Sequence, residues 1–564
     1  MISEIIDDQY AVLVFGDIFN SGSQTAAQIV GDAWIAGGAT RVRNLDGCCS
    51  AVIINRATRE VLLIGDLMGR RRLSYYTHGG TLLVSPHDAT LMATGDVPVE
   101  FDWISIASVV GMEWALGGKS LLKHIHTCHP TEYLRWHQGQ IEKGFDPALN
   151  VSERISSDNP EAVSSHLNLM IEVAQEQARS FVSNRSEIRC DLSAGFDSRV
   201  VWSLLLSVID NPSRILSVSV GEAHCLDVEV ASRLSKIYHT SFLAYADAPP
   251  SPDEFLTRCD LLAFAMNGGT PGKRAMKYPT EFTSHPRTYA CGNGGEIYRG
   301  AYYPLDPLGL YPNLSNTDAF ALIDKRSRID KLPWKNPDLG KAAHTRLRAL
   351  LEAYSKTSDN GYDILDIFYL YERMGVWGSS TARQTWKEPR WSPYMSPQMI
   401  RMGFRMPAPI ERFATIHRES LRRFAPKAYR VRINGNELLP LDDWGPNSPL
   451  LQAIDTQYTR NLSRAKRILN ICRSGRRSRN MEQVAADTLS VALMTTIGDI
   501  LLSNGSFSLE IFGPHGIESL MNEHKQGQKD HTEVLGLLVA MERWRSLVQG
   551  IAKEASRTNL ELFA

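Results

Sequence analysis

The segment CDLSAGFDSRVVWSLLL, residues 190–206, places two hydroxyls, a glycine and a carboxylate in one short turn between apolar runs. Gly195 permits close approach of the backbone to a ligand. The hydroxyls of Ser193 and Ser198, with the free N–H groups at the start of a following helix, are donors suited to phosphate. Asp197 would repel phosphate directly, so we expect it to act through Mg²⁺. The pattern predicts a pyrophosphate-binding turn made by Ser193, Ala194, Gly195, Asp197 and Ser198.

Such a turn needs a strand before it and a helix after it, and the flanking sequence repeats that alternation. The segments EIRCDL, RILSVSVG, SFLAYA and RTYACG read as strands, and the first three alternate with helical patterns. Strands that alternate with helices predict a doubly wound parallel sheet. Ligands of such sheets bind beyond the carboxyl ends of the strands, which is where the turn is expected.

The spacing of hydrophobic residues divides the rest of the chain into β-rich and helical regions. Residues 10–145 are β-rich, with a hairpin predicted in SAVIINRATREVLLIGD, and a helix is predicted after Asn159-Pro160-Glu161. From about residue 315 the pattern is mainly helical. The fold class predicted is α/β, with an N-terminal β-rich part of residues 1–150, a parallel-sheet domain of residues 151–440 and a helical C-terminal extension of residues 441–564.

Composition excludes several classes of protein. The chain has 564 residues, a net charge of -1 and 43% hydrophobic residues. The near-zero net charge disfavours a protein that binds nucleic acid or an anionic membrane through its overall charge. The acidic N-terminus is unlike a signal peptide, and no apolar run predicts a membrane span. Eight cysteines in this length do not form a disulfide framework. A soluble cytoplasmic protein is expected. The basic segment 463–480 is either a solvated helix and loop or a contact for phosphate or an acidic partner.

The turn resembles the S-G-G-x-D-S pyrophosphate loop of the ATP pyrophosphatase (PP-loop) superfamily, with Ala194 in place of the second residue. SVSVG resembles the adenosine-binding strand of asparagine synthetases, which implies that Val218 contacts adenine and Gly221 contacts ribose. GNGGEIYRGAYY, residues 292–303, is similar to the family's G-x-G-[AG]-D-E-x-F-x-G-Y segment. That resemblance implies a nucleotide contact at Gly294 and Gly295 and a metal site formed by Asp197 and Glu296.

The N-terminal part resembles the amidotransferase domain of the same asparagine synthetase-like family. GDIFN at 16–20, NLDGCCSAVI at 44–53 and GDLMGRRRLSYY at 65–76 are similar to G-E-I-Y-N, L-D-G-x-F-A-F and R-D-x-x-G-x-K-P-L-Y-Y, in the same order. The resemblance implies an Ntn-hydrolase-like sandwich. Glutamine-using members carry a cysteine nucleophile after the initiator methionine, whereas this chain begins Met1-Ile2-Ser3. We therefore expect a degenerate glutaminase domain.

Residues for the later steps are expected in three segments. FYLYERMGVWG, residues 368–378, resembles the helix that lines the acyl-adenylate pocket, and its Glu372 is a catalytic candidate. KEPRWSPYMS, residues 387–396, offers Lys387 and Glu388 to stabilise developing charge or to deprotonate an amine. Lys427, in FAPKAYRVR, is a candidate for holding the leaving pyrophosphate. The competing interpretation of each is an ordinary surface ion pair.

The resemblance implies an ATP- and Mg²⁺-dependent carbon–nitrogen ligase that adenylates a carboxylate, releases pyrophosphate and joins the acyl group to an amine. Lasso-peptide macrolactam cyclases and β-lactam synthetases are the similar sub-families without glutamine use. Partners expected are a precursor peptide or a small molecule bearing a carboxylate and an amine, with a leader-binding protein or protease. Alternatives are an ammonia-using asparagine synthetase-like enzyme, a small-molecule lactam synthetase, and a non-catalytic ATP-binding pseudoenzyme. Sulfur transfer or tRNA modification is disfavoured because no C-x-x-C occurs.

Overall fold

A computed structural model describes eleven stretches of the chain. They are residues 2–19, 22–145, 154–183, 185–245, 250–269, 289–304, 313–379, 390–408, 414–431, 491–526 and 528–563. Within these stretches the architecture is mixed α/β, with antiparallel sheets at the N-terminus, one parallel sheet and a helical C-terminal region. None of the helices described is both long enough and apolar enough to cross a membrane.

The N-terminal part contains two antiparallel sheets. The larger has the order β1-β2-β3-β4-β8-β9 and the smaller the order β6-β5-β7. The strands are β1 Ile2–Ile6, β2 Tyr10–Ile18, β3 Gly47–Asn55, β4 Val61–Gly65, β5 Ser74–His78, β6 Thr81–Ser85, β7 His126–Thr127, β8 Glu132–His137 and β9 Gln140–Phe145. The predicted hairpin is confirmed as β3 and β4, which pair antiparallel.

Three helices that the sequence pattern does not predict interrupt this β-rich part. They are α1 Ala26–Arg43, α2 Asp88–Met92 and α3 Trp103–Met112. Helix α1 contains three glycines and is bent at Gly38, so its helical period is weak. Its start does carry a signal, because Thr25 and Gln28 form a reciprocal capping box.

The parallel sheet predicted from the alternation is confirmed. Its order is β12-β11-β10-β13-β14, and every neighbouring pair is parallel. The strands are β10 Ile188–Asp191, β11 Ile215–Val220, β12 Ser241–Tyr245, β13 Tyr289–Ala290 and β14 Arg390–Trp391. The accompanying helices are α4 Pro160–Ser183, α5 Phe196–Leu206, α6 Leu226–Tyr238 and α7 Pro252–Ala265. Helix α4 starts as expected, with the Asn159 side chain accepting from the backbone N–H of Ala162.

Strand β14 was missed, because two residues carry no detectable period. It exists through packing: Trp391 is fully buried and stacks on Phe181 of α4 with ring centroids 4.2 Å apart. Beyond α7 the described chain is otherwise mainly helical, as expected. The helices are α8 Asn316–Arg326, α9 Pro337–Ser355, α10 Gly361–Phe368, α11 Pro397–Arg405, α12 Thr415–Phe424, α13 Pro426–Tyr429, α14 Val491–Leu501, α15 Phe507–Lys525 and α16 Thr532–Phe563. A π-helical segment, Tyr369–Trp377, continues α10.

The hydrophobic cores cross the predicted domain boundaries. One cluster joins Met68 and Ala107 of the N-terminal part to Ala194 beside the parallel sheet and to Phe368 of α10. A second joins Val110 of α3 to α7 and to the C-terminal helices α14, α15 and α16. The boundaries at residues 150 and 440 remain predictions, and the described cores pack continuously across them.

The segment after β13 lies directly against the start of α5, and Gly292 permits this contact. A Cβ at Gly292 would lie 2.4 Å from the backbone N of Ser198 and 2.6 Å from the carbonyl carbon of Asp197. Because both are backbone atoms, a side chain at 292 could be accommodated only by moving the turn.

We expect Gly292→Ala to lower the free energy of unfolding by about 1–3 kcal/mol, the usual cost of overpacking. The control is Gly550→Ala in α16, where an added Cβ meets nothing within 4 Å and the gain in helix propensity is at most about 1 kcal/mol. Calorimetric melting of both variants makes the comparison. Equal midpoints for Gly292→Ala and the wild type would contradict the close contact.

Candidate functional site

The candidate site lies where the strand order of the parallel sheet reverses. From β10 the chain builds β11 and β12 on one side and then returns to place β13 on the other side. Loops that follow the central strands of such a sheet diverge at this reversal and leave a crevice. The turn of residues 193–198 follows β10, and the segment 292–299 follows β13, so the fold brings these two predicted motifs together.

Hydrogen bonds within the turn fix its shape. The hydroxyls of Ser193 and Ser198 are 2.8 Å apart, and the Gly195 N–H donates to Ser193 Oγ at 3.1 Å. The Ala194 N–H donates to the Asp227 carboxylate at 2.9 Å. Gly195 is the residue before the first turn of α5 and caps it without a side-chain hydrogen bond. The turn therefore presents a helix N-terminus with its positive end uncapped by a side chain.

Asp197 is held by two basic side chains. Arg299 donates from Nε to Oδ1 at 3.1 Å and from Nη2 to Oδ2 at 2.9 Å. The imidazole Nε2 of His417, in α12, lies 2.8 Å from Oδ1 of the same carboxylate. Burial alone would raise the pKa of Asp197, but the hydrogen bonds and charges of His417 and Arg299 outweigh burial and lower that pKa to about 2. Asp197 is therefore an ionised carboxylate at any physiological pH.

Glu296 lies next to this ion pair. Its carboxylate is 3.9 Å from Nη2 of Arg299, and its side chain, 34% exposed, also hydrogen-bonds Tyr369 of the π-helical segment. Burial, with the neighbouring charge of Glu296, raises the pKa of the Tyr369 phenol well above its ordinary value. Arg299 thus lies beside both carboxylates that the sequence assigned to a metal.

The residues present do not form a prepared Mg²⁺ site. Both oxygens of Asp197 already accept hydrogen bonds from cationic or ring N–H groups. Among the described residues no cluster of three or more His, Cys, Asp or Glu side chains has metal-binding spacing. The assignment of Asp197 and Glu296 as metal ligands therefore stays a prediction, and it would require Arg299 to move.

The glycines predicted to contact the nucleotide follow two strands of the parallel sheet, β11 and β13. Gly294 is left-handed at φ 86°, and a Cβ at Gly295 would lie 2.5 Å from Oδ1 of Asp197. Gly221, at φ 143°, follows β11 and donates its N–H to the Tyr245 carbonyl. The Val218 carbonyl, expected to face adenine, accepts the N–H of Leu192 within the sheet. The structure thus brings Gly221, Gly294 and Gly295 to the carboxyl edge.

The residues that follow Lys427 are linked to the turn through Arg199. The buried Arg199 guanidinium donates to the Ala194 carbonyl in the turn at 3.0 Å and to the carbonyls of Ala428 and Val431 at 3.1 and 2.6 Å. The Lys427 side chain is exposed, and its backbone N–H donates to the Tyr238 hydroxyl. Lys387, Glu388 and the basic segment 463–480 lie outside the described residues.

Glu372 lies in a different environment from the turn. Its fully buried carboxylate accepts from Trp114 Nε1 at 3.0 Å, from the Gly117 N–H at 3.1 Å and from the Tyr354 hydroxyl at 3.2 Å. His129 Nε2 is 4.0 Å away. Glu372 therefore joins the N-terminal part to the helices, whereas Tyr369 of the same π-helical segment faces Glu296.

Two residues of the site were missed by sequence reasoning. Arg299 lies within the quoted 292–303 segment, but nothing in the pattern pairs it with Asp197. His417 lies 220 residues from Asp197 along the chain, in an amphipathic helix with no recognisable motif. For neither residue does the sequence carry a signal, because their contact with Asp197 depends on tertiary packing.

The N-terminal part of the chain is similar to a known protein family. Residues 11–145 match a family described as glutamine amidotransferase domain. No curated protein matches the chain. The match covers the N-terminal part, where three of the motifs noted above occur, and it is compatible with an asparagine synthetase-like protein.

Glu372 provides a test of the contact between the two parts. Burial is the main cause that raises the pKa of its carboxyl, from an ordinary 4.5 to about 7. A raised folded-state pKa means that protonation favours folding, so this stabilisation is complete below about pH 4.5 and is lost as the pH rises through 7. The loss is on the order of 3 kcal/mol at pH 8.

We expect Glu372→Gln to melt at a higher temperature than the wild type at pH 8 and to converge with it near pH 5. The amide keeps an oxygen for Trp114 and Gly117 but cannot ionise. Melting midpoints between pH 5 and 8.5 measure the difference. Glu352→Gln, on the exposed face of α9, should show no such trend. If Glu372→Gln instead tracks the wild type throughout, the carboxyl does not change protonation in this range.

Proposed function

We propose that the protein is an ATP-dependent amide-forming ligase of the asparagine synthetase-like type. A substrate carboxylate attacks the α-phosphorus of ATP, pyrophosphate leaves, and an amine then displaces AMP from the acyl-adenylate. The observation that carries the proposal is the convergence of the 193–198 turn and the 292–299 segment at the reversal of the strand order, with Gly292 against the Ser198 backbone.

The turn supplies the groups that pyrophosphate needs. The hydroxyls of Ser193 and Ser198 and the uncapped start of α5 are donors for the leaving group, and Gly195 lets the phosphates approach the backbone. Gly221, Gly294 and Gly295 line the nucleotide side, and Lys427 is a further candidate for contact with the pyrophosphate. Mg²⁺, if it accompanies ATP, supplies charge neutralisation on the phosphates.

The amine is proposed to come from the substrate or from free ammonia. The described cysteines of the N-terminal part, Cys48, Cys49 and Cys128, are all buried. Burial raises the pKa of Cys49 well above its ordinary value and that of Cys128 to about 12, so neither is the thiolate that attacks glutamine. Ser3 Oγ accepts the Ala27 N–H at the start of α1. A substrate that carries both groups, such as a peptide closed into a macrolactam, fits this scheme.

A second candidate function is nucleotide binding without catalysis. The engagement of Asp197 by Arg299 and His417 favours it, because a carboxylate occupied in this way is not free to handle a metal. The two functions differ in one observable, which is the formation of an acyl-adenylate.

Exchange of labelled pyrophosphate into ATP tests the ligase directly. We expect exchange that depends on one carboxylate among a panel of linear peptides and amino acids bearing free carboxylates. Ser198→Ala should reduce exchange by about 10–100-fold, corresponding to a lost hydrogen bond to a charged group. Ser207→Ala is the matched control, because Ser207 lies at the opposite end of α5. Formation of ADP instead of AMP would rule out adenylation, and ATP binding without exchange would favour the second function.

Glutamine use is tested separately. Incubation with glutamine should release no glutamate above spontaneous hydrolysis, because the described thiols of the N-terminal part, Cys48, Cys49 and Cys128, are buried. Glutamate measured by a coupled dehydrogenase assay gives the answer. Release that disappears in Cys48→Ser or Cys49→Ser would show that a thiol of this domain is reactive after all.

A further inference from the structure

Arg299 is bound by Asp197 along only one edge of its guanidinium. Nε and Nη2 donate to the two oxygens of Asp197 at 3.1 and 2.9 Å, which is the bidentate geometry typical of arginine and carboxylate. The remaining nitrogen, Nη1, has no hydrogen-bond partner in the part of the chain that the structure describes. The side chain is 37% exposed, so a ligand can reach it.

The surrounding residues hold Asp197 and Arg299 in this arrangement. The buried imidazole of His417 lies 2.8 Å from Oδ1 of Asp197, the oxygen that also accepts from Arg299 Nε. Gly295 lies against the same oxygen, where any Cβ would come within 2.5 Å. The tight turn from Gly295 to Arg299 thus brings the guanidinium onto Asp197, and the two residues act as one charged unit at the start of α5.

We propose that Arg299 is the resident cation of this site: Asp197 positions it, and its free Nη1 edge binds a phosphate oxygen of the nucleotide, so that Asp197 does not ligate a divalent ion. The proposal rests on the proposed function only in taking a nucleotide as the ligand. A planar guanidinium, with five N–H donors, can hold a carboxylate on one edge and a phosphate on another.

Two carboxylates beside the site oppose an anion: Asp227, which accepts the Ala194 N–H at 2.9 Å, and Glu296. The Glu296 carboxylate is partly neutralised, since it lies 3.9 Å from Arg299 Nη2 and hydrogen-bonds Tyr369. Nη1 is the guanidinium nitrogen not directed at Asp197 or Glu296. We therefore expect the phosphate to contact Nη1, with the donors of Ser193, Ser198 and the α5 N-terminus as its further partners.

Calorimetric titration with ATP, in excess EDTA and again in Mg²⁺, tests the proposal by binding and not by activity. We expect the wild type to bind ATP in EDTA within about threefold of its affinity in Mg²⁺. Arg299→Met keeps the aliphatic chain but removes the charge, and it should lose tenfold or more in EDTA. Arg299→Lys keeps the charge but lacks the planar guanidinium, so its affinity for ATP should lie between those of the wild type and Arg299→Met. Inorganic pyrophosphate, titrated in the same way, should follow the same order.

Arg326→Met is the control, since Arg326 is a second arginine near the segment, bonded to the Ala301 carbonyl and lying over Tyr302. It should bind ATP as the wild type does. Thermal melting of each variant without ligand shows whether it is folded. If Arg299→Met is not folded, the ATP affinity of Arg299→Lys is compared with that of the wild type instead. A further informative outcome is that Mg²⁺ restores ATP binding in Arg299→Met and leaves the affinities of the other variants unchanged. In that case the freed Asp197 has accepted a metal in place of the guanidinium, which supports the proposal.

Two outcomes contradict the inference and are distinguishable. If the wild type binds ATP only with Mg²⁺ and Arg299→Met binds equally well, Asp197 ligates the metal and the inference fails, while the proposed function stands. If the wild type binds ATP in neither condition, the proposed function itself fails, and the inference fails with it.

Discussion

The candidate site depends on one close approach, the contact of the segment after β13 with the first turn of α5. Glycine at 292 and 295 allows backbone to lie against backbone and against the Asp197 carboxylate. Without that approach the turn after β10 and the segment after β13 would be separate loops. With it, residues from two crossovers of the parallel sheet converge at the strand reversal, where such sheets bind ligands.

Charge at this convergence is balanced inside the protein. Asp197 is flanked by Arg299 and His417, and Glu296 by Arg299 and Tyr369. Stabilising an ionised carboxylate in a partly buried position requires such partners, because desolvation alone favours the neutral acid. The arrangement explains why the predicted metal ligands do not form a prepared cation site and why a guanidinium occupies that place.

Two carboxyls, the partly buried Asp197 and the fully buried Glu372, illustrate how environment decides chemistry. Asp197 faces cationic partners, which lower its pKa to about 2. Burial of Glu372 outweighs its hydrogen bonds from Gly117, Trp114 and Tyr354 and the charge of nearby Arg72, and it raises the pKa to about 7. The first is suited to positioning a cation, and the second links the N-terminal part to the helical part. The shared hydrophobic cores also join the N-terminal part to the helical part, through apolar contacts.

The sequence by itself determined the features that are local. The order of strands and helices from residue 160 to 245 followed from hydrophobic period, and the turn of residues 193–198 followed from residue types whose preferences act within a few positions. The amidotransferase resemblance of the N-terminal part also lay in short motifs. Only the tertiary structure decided the pairing of Asp197 with Arg299 and His417, the burial of Glu372 and the existence of β14. Each of these depends on groups more than a hundred residues apart, and no local preference encodes which of them will meet when the sheet and helices pack.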